Sequence, residues 1–415
     1  MKDSGIPWIG EIPNGWACDA IGSLYSVRIE KVSDKDYPPL SVGKMGVVPQ
    51  LDTAAKTDDG DNRKLVRKGD FAINSRSDRR GSCGISEYDG SVSLINTILT
   101  PRNRMNPKFY NWLFHSERFA DEFYRWGHGI VDDLWTTRWQ EMKRISIVVP
   151  PLQEQQAIAD FLDKKCSEID ELISLQEKII EELKAYKQSV ITEAVTKGLN
   201  PDAPMKDSGN VWIGEIPERW DTCRVKNIIS VFVNGYAFDS NVFKLDDEVP
   251  VIRIGDIQTN IDFDNCVKVP YSDNLNAFLI QNGDVLIAMS GATTGKCCLV
   301  LSDRLAYINQ RVGILRGRYS HYLFYALQAD YFLEYVSLNS AGSAQPNISG
   351  GSIGNFIIAV PNDLKMCDEI ADYLDKKCSE IDSLIALKED KIEYLKEYKK
   401  SIIYEYTTGK KEVIQ

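Results

Sequence analysis

The sequence lacks most of the features that mark secreted proteins, membrane proteins and metal sites. Its 415 residues include three histidines, His115, His128 and His321, and none is spaced from another like a metal-binding pair. The nine cysteines are odd in number and contain no C-x-x-C pair, which predicts reduced thiols rather than disulfides or zinc ligands. No apolar run approaches the roughly 18 residues of a membrane span, and no signal peptide is evident. We therefore expect a cytoplasmic protein with no metal and no membrane partner.

Catalytic patterns are missing as well. We find no Ser-His-Asp arrangement, no H-E-x-x-H, no glycine-rich methyl-donor loop and no N-P-P-Y signature. The segment GATTGKC at 291–297 has three residues between its glycines where a P-loop has four, and Cys297 replaces the magnesium-binding Ser or Thr. The net charge of −11 neither supports nor excludes a nucleic-acid partner, because the distribution of charge matters more than its sum. The absence of these motifs predicts a binding protein rather than an enzyme.

What the chain does contain is an internal repeat. Met1–Trp16 returns as Met205–Trp220 with 12 of 16 positions identical, and Ile158–Asp170 returns as Ile370–Asp382 with 12 of 13 identical. The stretches between these segments share only a faint outline. Repeated segments with divergent sequence between them indicate one structural framework that carries two different recognition surfaces.

Each copy of the repeat ends in a long predicted helix. The first lies between Pro151 and Gly198, and its apolar positions follow a 4-3 spacing that is typical of a coiled coil. A shift of 212 residues reproduces this row in the second copy, including its polar breaks at Gln176 and Lys187, which return as Lys388 and Lys399. We expect the two helices to pair with each other; the alternative is pairing with a second chain. Further apolar rows outside this seam predict protein partners along the helices.

The divergent stretches follow one common order of elements, which predicts an α+β fold. Short β-branched runs, such as FAIN after KGD (68–70) and VLIA after NGD (282–284), alternate with turn signals and one aromatic amphipathic stretch. The predicted domains are 1–150 and 201–360, two α/β domains, with helical regions at 151–200 and 361–415. The architecture is thus domain, helix, domain, helix.

In the first domain, a basic segment follows the KGD strand. Residues 63–80 hold seven Lys or Arg against two Asp. Arginine can fork onto guanine or phosphate, and Asn and Ser can bond base edges or backbone oxygens. The alternative is an ordinary solvated face. The candidate DNA-binding residues here are Asn74, Ser75, Arg76, Arg79, Arg80 and, from the glycine-bearing loop before the last strand, Arg138. Trp135 and Trp139 in that loop are interpreted as anchors.

The second domain has polar residues in the same two slots. The glycine-rich loop after the NGD strand can direct hydroxyls, backbone N–H groups and an ammonium at a phosphate backbone, although a solvated turn would have the same composition. The candidate residues are Ser290, Thr293, Thr294, Lys296, Gln345 and Asn347.

These features resemble the specificity subunit of type I restriction-modification systems over essentially the whole chain. The resemblance rests on PPLQEQQAIADFL at 150–162, on W-I-G-E-I-P-x-x-W opening both halves, and on TKGLNPD at 196–202. The chain departs from it at PNDLKMCDEIADYL, where the second helix starts without a second PPLQEQ. We therefore expect an altered start of that helix.

The resemblance implies a non-catalytic scaffold for DNA recognition. Each target-recognition domain would read one half of a bipartite site in double-stranded DNA. The helices would form an antiparallel coiled coil, relate the halves by pseudo-twofold symmetry, set the spacer and bind two modification subunits. It further implies that S-adenosylmethionine, ATP and Mg are bound by partner subunits rather than by this chain, and it leaves open whether two restriction subunits join. The competing hypotheses are a two-domain protein-interaction scaffold with no DNA role and an enzyme with an unrecognised site.

Overall fold

The computed structural model of the protein describes residues 1–50, 59–76, 79–102, 105–129, 135–244, 248–258, 261–340 and 346–413. The chain divides into two compact units, residues 1–177 with 389–415 and residues 178–388. Within the described ranges, no helix combines the length and the apolar character needed to cross a membrane. Each of the nine cysteines, all of which are described, is a free thiol, as predicted.

The first unit contains residues 1–150, the first of the two domains predicted to recognise DNA and called recognition domains below, and it opens with short strands. Its strands are β1 (Lys2–Asp3), β2 (Glu11–Ile12), β3 (Ala17–Ala20), β4 (Tyr25–Arg28), β5 (Lys31–Val32), β6 (Leu40–Gly43), β7 (Gly46–Pro49), β8 (Arg63–Val66), β9 (Phe71–Asn74), β10 (Cys83–Ile85), β11 (Gly90–Val92), β12 (Asn96–Pro101) and β13 (Ser146–Val149). Its helices are α1 (Ile21–Leu24), α2 (Pro107–His115), α3 (Glu117–Arg125) and α4 (Trp139–Met142), followed by the start of the long helix α5 (Leu152–Lys197).

The second unit has a similar order of elements with fewer strands. Its strands are β14 (Met205–Asp207), β15 (Glu215–Pro217), β16 (Trp220–Arg224), β17 (Val231–Asn234), β18 (Val249–Ile252), β19 (Lys268–Val269), β20 (Val285–Ala288), β21 (Cys297–Leu299), β22 (Tyr307–Ile308), β23 (Val312–Arg316) and β24 (Ile357–Pro361). Its helices are α6 (Ser320–Ala326), α7 (Asp330–Ser340) and α8 (Gly350–Asn355), followed by the long helix α9 (Leu364–Thr407).

Each recognition domain is built on a four-stranded antiparallel sheet. The strand order is β4-β12-β9-β10 in the first domain and β17-β23-β20-β21 in the second. The strands after KGD and NGD, β9 and β20, are central, and every residue in them is buried. A short run of apolar residues without alternation is what a strand covered on both faces requires. The aromatic stretch after the sheet folds as α2 and α3 in the first domain and as α6 and α7 in the second, where it covers the sheet.

The long helices pack against each other in antiparallel directions, as expected. In the first unit, the rings of Phe161 and Tyr406 lie 4.4 Å apart, and Lys399 Nζ lies 2.6 Å from Asp170 Oδ2. The residue numbers thus increase along α5 from 161 to 170 while those of the facing residues on α9 decrease from 406 to 399. In the second unit, Lys187 Nζ lies 2.7 Å from Asp382 Oδ2. The two lysines interrupt the apolar row because each forms an ion pair with the facing helix.

The second long helix starts at the same place in the repeat despite its different sequence. Leu364 lies 212 residues after Leu152. Asp363 replaces Pro151 there, and its Oδ1 accepts a hydrogen bond from the Lys365 N–H at 3.0 Å. The altered start is thus a change of capping chemistry rather than of helix position.

The repeated opening segments pack on the ends of these helices. Trp16 is buried, and its indole N–H donates to Glu154 Oε2 at 2.7 Å. Trp220 is buried in the same way, but its indole N–H points at the Met366 sulfur at 3.3 Å. Met366 lies 212 residues after Glu154, so the departure from PPLQEQ replaces a carboxylate acceptor by a thioether.

Candidate nucleic-acid interface

A buried aspartate fixes the turn before each central strand. Asp70 and Asp284 are 2% and 0% exposed, and each follows a glycine with φ near +90°, Gly69 and Gly283. Asp284 accepts from Arg316 on β23 at 2.6 and 2.8 Å. Asp70 accepts instead from Arg28 on β4 at 2.7 and 3.1 Å. In each domain, the first of the two candidate loops leaves the other end of this anchored strand.

Asn74 ends β9, and Ser75 and Arg76 begin the first loop. Asn74 is buried, and its Oδ1 accepts from the Arg76 N–H at 3.1 Å, while Ser75 Oγ donates to the Ile95 carbonyl at 2.5 Å. Arg76 and Thr136 form an isolated antiparallel bridge. The structure therefore brings the two sequence-separated slots of the first domain together, with Asn74 and Ser75 engaged in holding the loop.

Arg79 and Arg80 lie on the exposed part of this loop. The Arg80 guanidinium lies 5.7 Å from the centroid of the Tyr124 ring, and it pairs with Asp121. Trp135 stacks on the same tyrosine at 5.8 Å, and its indole N–H donates to the Tyr124 carbonyl at 2.9 Å. Trp135 thus anchors its loop to α3, and half-exposed Arg80 keeps donors for an anion beyond its own ion pair.

A cleft of about 520 Å³ joins Ser75 and Arg138. Arg138 is exposed at the start of α4, and the walls also include Lys64, Thr97 and Gln140. Lys64 Nζ donates to the Asn96 carbonyl at 2.6 Å, and burial lowers the pKa of Lys64. A cleft with ammonium, guanidinium, amide and hydroxyl groups can bond both phosphate oxygens and base edges.

In the second domain, Ser290 and Asn347 are brought together as a backbone pair. They form an isolated antiparallel bridge, and the Ile348 N–H donates to the Met289 carbonyl at 2.9 Å. The loop after β20 is therefore tied to the segment before α8, the counterpart of the pairing in the first domain. Asn347 is exposed, whereas Gln345 lies outside the described residues.

The two threonines of the glycine loop make internal hydrogen bonds. Thr294 Oγ1 donates to the Gly291 carbonyl at 2.7 Å, and Thr293 Oγ1 donates to the Ile254 carbonyl at 3.3 Å. Lys296 is exposed. Thr293 and Lys296 line a cleft of about 970 Å³ together with Gln258. The threonine hydroxyls thus shape the loop. The cleft offers the ammonium of Lys296 and the amide of Gln258, and its helix wall adds the carboxylates of Asp375 and Asp382.

Comparison with known families matches both halves of the chain to the same domain. The model of the type I restriction modification DNA specificity domain matches residues 33–185 and again residues 217–397. The chain belongs to this DNA-specificity family. Two specificity regions in one chain explain the repeat, and they replace the hypothesis of a protein scaffold with no DNA role.

Named relatives agree with this assignment. The type I restriction enzyme MjaVIII specificity subunit of Methanocaldococcus jannaschii is 29% identical over 337 residues, which cover 77% of this chain and 74% of the relative. The putative MjaX specificity subunit of the same organism is 24% identical over 97% of this chain and 95% of its own length. The chain is therefore similar to specificity subunits over nearly its full extent.

Solved structures show the same fold. A chain from a type I R-M system, solved in a study of its complex assembly and conformational transition, has a TM-score of 0.74 at 16% identity over 96% of this chain and 98% of its own. The HsdS subunit from Thermoanaerobacter tengcongensis has a TM-score of 0.55 at 17% identity over the same shares. The predicted α+β class, with two recognition domains and two long helices, is confirmed.

The specificity subunit also contains cleft residues that sequence reasoning missed. Lys64 belonged to the recognised basic run, but nothing local distinguished it from its neighbours. Gln140 and Gln258 carry no sequence signal, because each reaches its cleft only through the packing of separate segments. The candidate residues of each domain were drawn from two loops, whereas each cleft is lined by four or more segments.

Proposed function

We propose that each recognition domain reads one half of a bipartite site in double-stranded DNA, the first through the Ser75–Arg138 cleft and the second through the Lys296–Gln258 cleft. The observation that carries this proposal is the pairing of two divergent loops at one end of the same anchored strand in both domains. A fixed sheet gives both domains the same placement, and different loop side chains give them different base preferences.

We propose further that the chain supplies no catalytic group and works in the cytoplasm. The chemistry would belong to partner subunits that bind S-adenosylmethionine, ATP and Mg, giving adenine methylation and, where two restriction subunits join, ATP-dependent cleavage. The residues of this chain would bind, orient and space the DNA. The sequence patterns absent from the chain and the specificity family to which it belongs support this division of labour.

Repeated apolar side chains on the long helices support docking of two modification subunits. Leu172 and Leu175 on α5 are exposed, and so are their repeat counterparts Leu384 and Leu387 on α9. Large apolar side chains grouped on an exposed face commonly mark a protein interface. Two like surfaces on one chain suit two copies of one partner.

A charge on this surface tests the docking proposal. Leu175→Glu and Leu387→Glu should each reduce the number of bound modification subunits from two to one, and the double variant should bind none, as measured by native mass spectrometry. Lys184→Glu, on an exposed position of the same helix, is the matched control. Full binding by the double variant would refute this docking surface.

The function itself is tested by co-expression with the cognate modification subunit and mapping of methylated adenines. We expect one bipartite sequence with a constant spacer. Replacing residues 221–360 by the corresponding domain of another specificity subunit should change one half of the sequence only. A change in both halves, or in neither, would contradict the proposed division between the domains.

A further inference from the structure

In each recognition domain, a second segment lies beside the loop that follows the central strand. In the first domain this segment is the tip of the β6–β7 hairpin, which rests on β10. A Cβ atom on Gly84 would lie 2.6 Å from Gly46 Cα, so glycine at 84 permits this close approach. Because β10 begins three residues after Arg80, the hairpin tip and the arginine loop share one end of the domain.

The second domain has the same neighbourhood with different residues. The turn at Ile254–Asp256 follows β18, and the 212-residue shift of the repeat aligns it with Val42–Lys44, where β6 runs into the hairpin tip. Its Ile254 carbonyl accepts from Thr293 Oγ1 at 3.3 Å, and the Ile254 side chain lies 3.2 Å from where a Cβ on Gly291 would stand. The turn is thereby held against the loop that carries Lys296.

The side chains presented at these positions suit a nucleic acid. Met45 is 91% exposed at the hairpin tip, and the adjacent Lys44 is exposed too. Arg253 is exposed in the second domain, with its Nε 3.4 Å from Asp256 Oδ2, which orients the guanidinium and leaves its remaining N–H groups available. A lysine contacts phosphate, an apolar side chain packs on the thymine methyl group, and an arginine forks onto guanine.

We propose that this segment is a second DNA-contacting element of both recognition domains, through Lys44 and Met45 in the first and Arg253 in the second. The proposal rests on the DNA-reading function of the two domains and adds a contact to each. Lys44 holds a phosphate and Met45 packs on a base edge of one half-site. Arg253 reads a base of the other half-site. The tip and the arginine loop then approach one stretch of DNA from neighbouring positions.

The test uses the complete complex with the modification subunits, and it measures methylation of oligonucleotide libraries randomised in one half-site at a time. Arg253→Ala should reduce base discrimination at one position of its half-site by roughly 5- to 150-fold, the value of a bidentate contact. Met45→Ala should reduce discrimination at one position of the other half-site by a smaller factor, because it shortens an apolar contact. Lys44→Ala should weaken binding of all sequences alike and lower the slope of log affinity against log salt by about one. The preference of the unmutated domain's half-site serves as the internal reference.

Matched controls lie near the glycine turns that precede the central strands β9 and β20. Tyr88→Ala removes an exposed apolar side chain near the Gly69 turn, and Arg318→Ala removes an exposed arginine from the cleft that contains Gly283. Both should leave the sequence preference unchanged. The proposal is overturned if Met45→Ala and Arg253→Ala behave like these controls while the wild-type complex methylates a bipartite site. A wild-type complex that methylates no bipartite site would instead refute the function on which the proposal rests.

Discussion

Moving the arginine that pairs with Asp284 from one strand to another should first destabilise and then restore the second recognition domain. Arg316→Thr removes both guanidinium hydrogen bonds to this carboxylate, at 2.6 and 2.8 Å. Asp284 is fully buried, whereas the Arg316 side chain is 27% exposed. The variant therefore leaves the buried carboxylate without its cation.

The size of the loss follows from what remains around the carboxylate. Removing one partner of a buried ion pair costs about 3–5 kcal/mol. Asp284 keeps the Gln281 N–H at 2.7 Å, and a threonine hydroxyl can donate as Thr100 does to Asp70 at 2.9 Å. Because of these donors and the partly exposed arginine, we take the low end, about 3 kcal/mol.

The first domain supplies the design of the rescue. Its sheet register places Arg28 opposite Ile98, and the register of the second domain places Val233 opposite Ile314, the equivalent position. Val233→Arg in the Arg316→Thr background should therefore recreate the geometry in which Arg28 and Thr100 together bond the aspartate. We expect the double variant to recover most of the lost stability.

Hydrogen exchange measured by mass spectrometry reads this out locally. A loss of about 3 kcal/mol should speed exchange of the protected amides of β20 and β23 by roughly 100-fold where they exchange through opening of the domain. Amides of β9 and β12 report on the unmutated domain and should not change. Exchange in β20 that stays within a few-fold of wild type in Arg316→Thr would refute the role of the ion pair. A double variant as fast as the single one would refute the equivalence of the two geometries.

Three other perturbations test the two long helices and the segments that pack on their ends. Trp220→Ala should cost about 3–5 kcal/mol in denaturant unfolding because the ring is 2% exposed, whereas Trp212→Ala, at 45% exposed, should cost less than about 1 kcal/mol. A double-mutant cycle on Lys187 and Asp382 should give a coupling of only about 0.2–1 kcal/mol since both side chains are partly exposed, and a larger value would contradict that exposure. Insertion of seven residues after Lys178 and after Asp390, which lie midway between the two ion-pair positions of each helix, should preserve both ion pairs and lengthen each helix by about 10 Å. Methylation mapping should then show a spacer longer by about three base pairs with unchanged half-sites.

The two long helices were predicted well because the signals that identify them are local in the sequence. The 4-3 spacing that identifies a coiled coil needs only neighbouring turns of one helix, and the repeat supplied an independent copy of each signal. Even the polar breaks were informative: Lys187 and Lys399 coincide in the repeat, and each forms an ion pair with an aspartate of the facing helix. The pattern could not identify the aspartate that pairs with each lysine, because that residue lies some 200 positions away along the chain.

The candidate interface was predicted less completely because it depends on contacts between distant segments. Thr293 and Thr294 fitted a phosphate-binding loop by composition, yet their hydroxyls donate to backbone carbonyls of their own domain. Gln258 was missed because its place in the cleft depends on packing of the turn after β18 against the loop after β20. Residue type alone does not separate a side chain that builds a loop from one that the loop presents.

The contacts between each recognition domain and its long helix show how the two domains use different side chains to bind equivalent helix residues. Asp163 Oδ1 accepts from the Trp112 indole at 2.8 Å, and its Oδ2 pairs with Lys108 at 2.9 Å. Its repeat counterpart Asp375 accepts from the Tyr325 hydroxyl at 2.5 Å and lies 2.9 Å from His321 Nε2. In both cases the donors stand four residues apart on one helix face, so the spacing is kept while the side chains change.

A carboxylate tolerates this variety because it only accepts hydrogen bonds, and indole, phenol, ammonium and imidazole groups can all supply them. The start of the second long helix shows the opposite case, in which the domain side is constant and the helix side changes. There Trp220 keeps its burial although Met366 replaces the carboxylate that Trp16 uses. The indole stays because its apolar ring fills the core at that joint, whereas its N–H contributes a single bond. The buried tryptophan is therefore repeated because its ring is needed for packing. The residue that its N–H contacts can differ between the two copies because only one hydrogen bond depends on it.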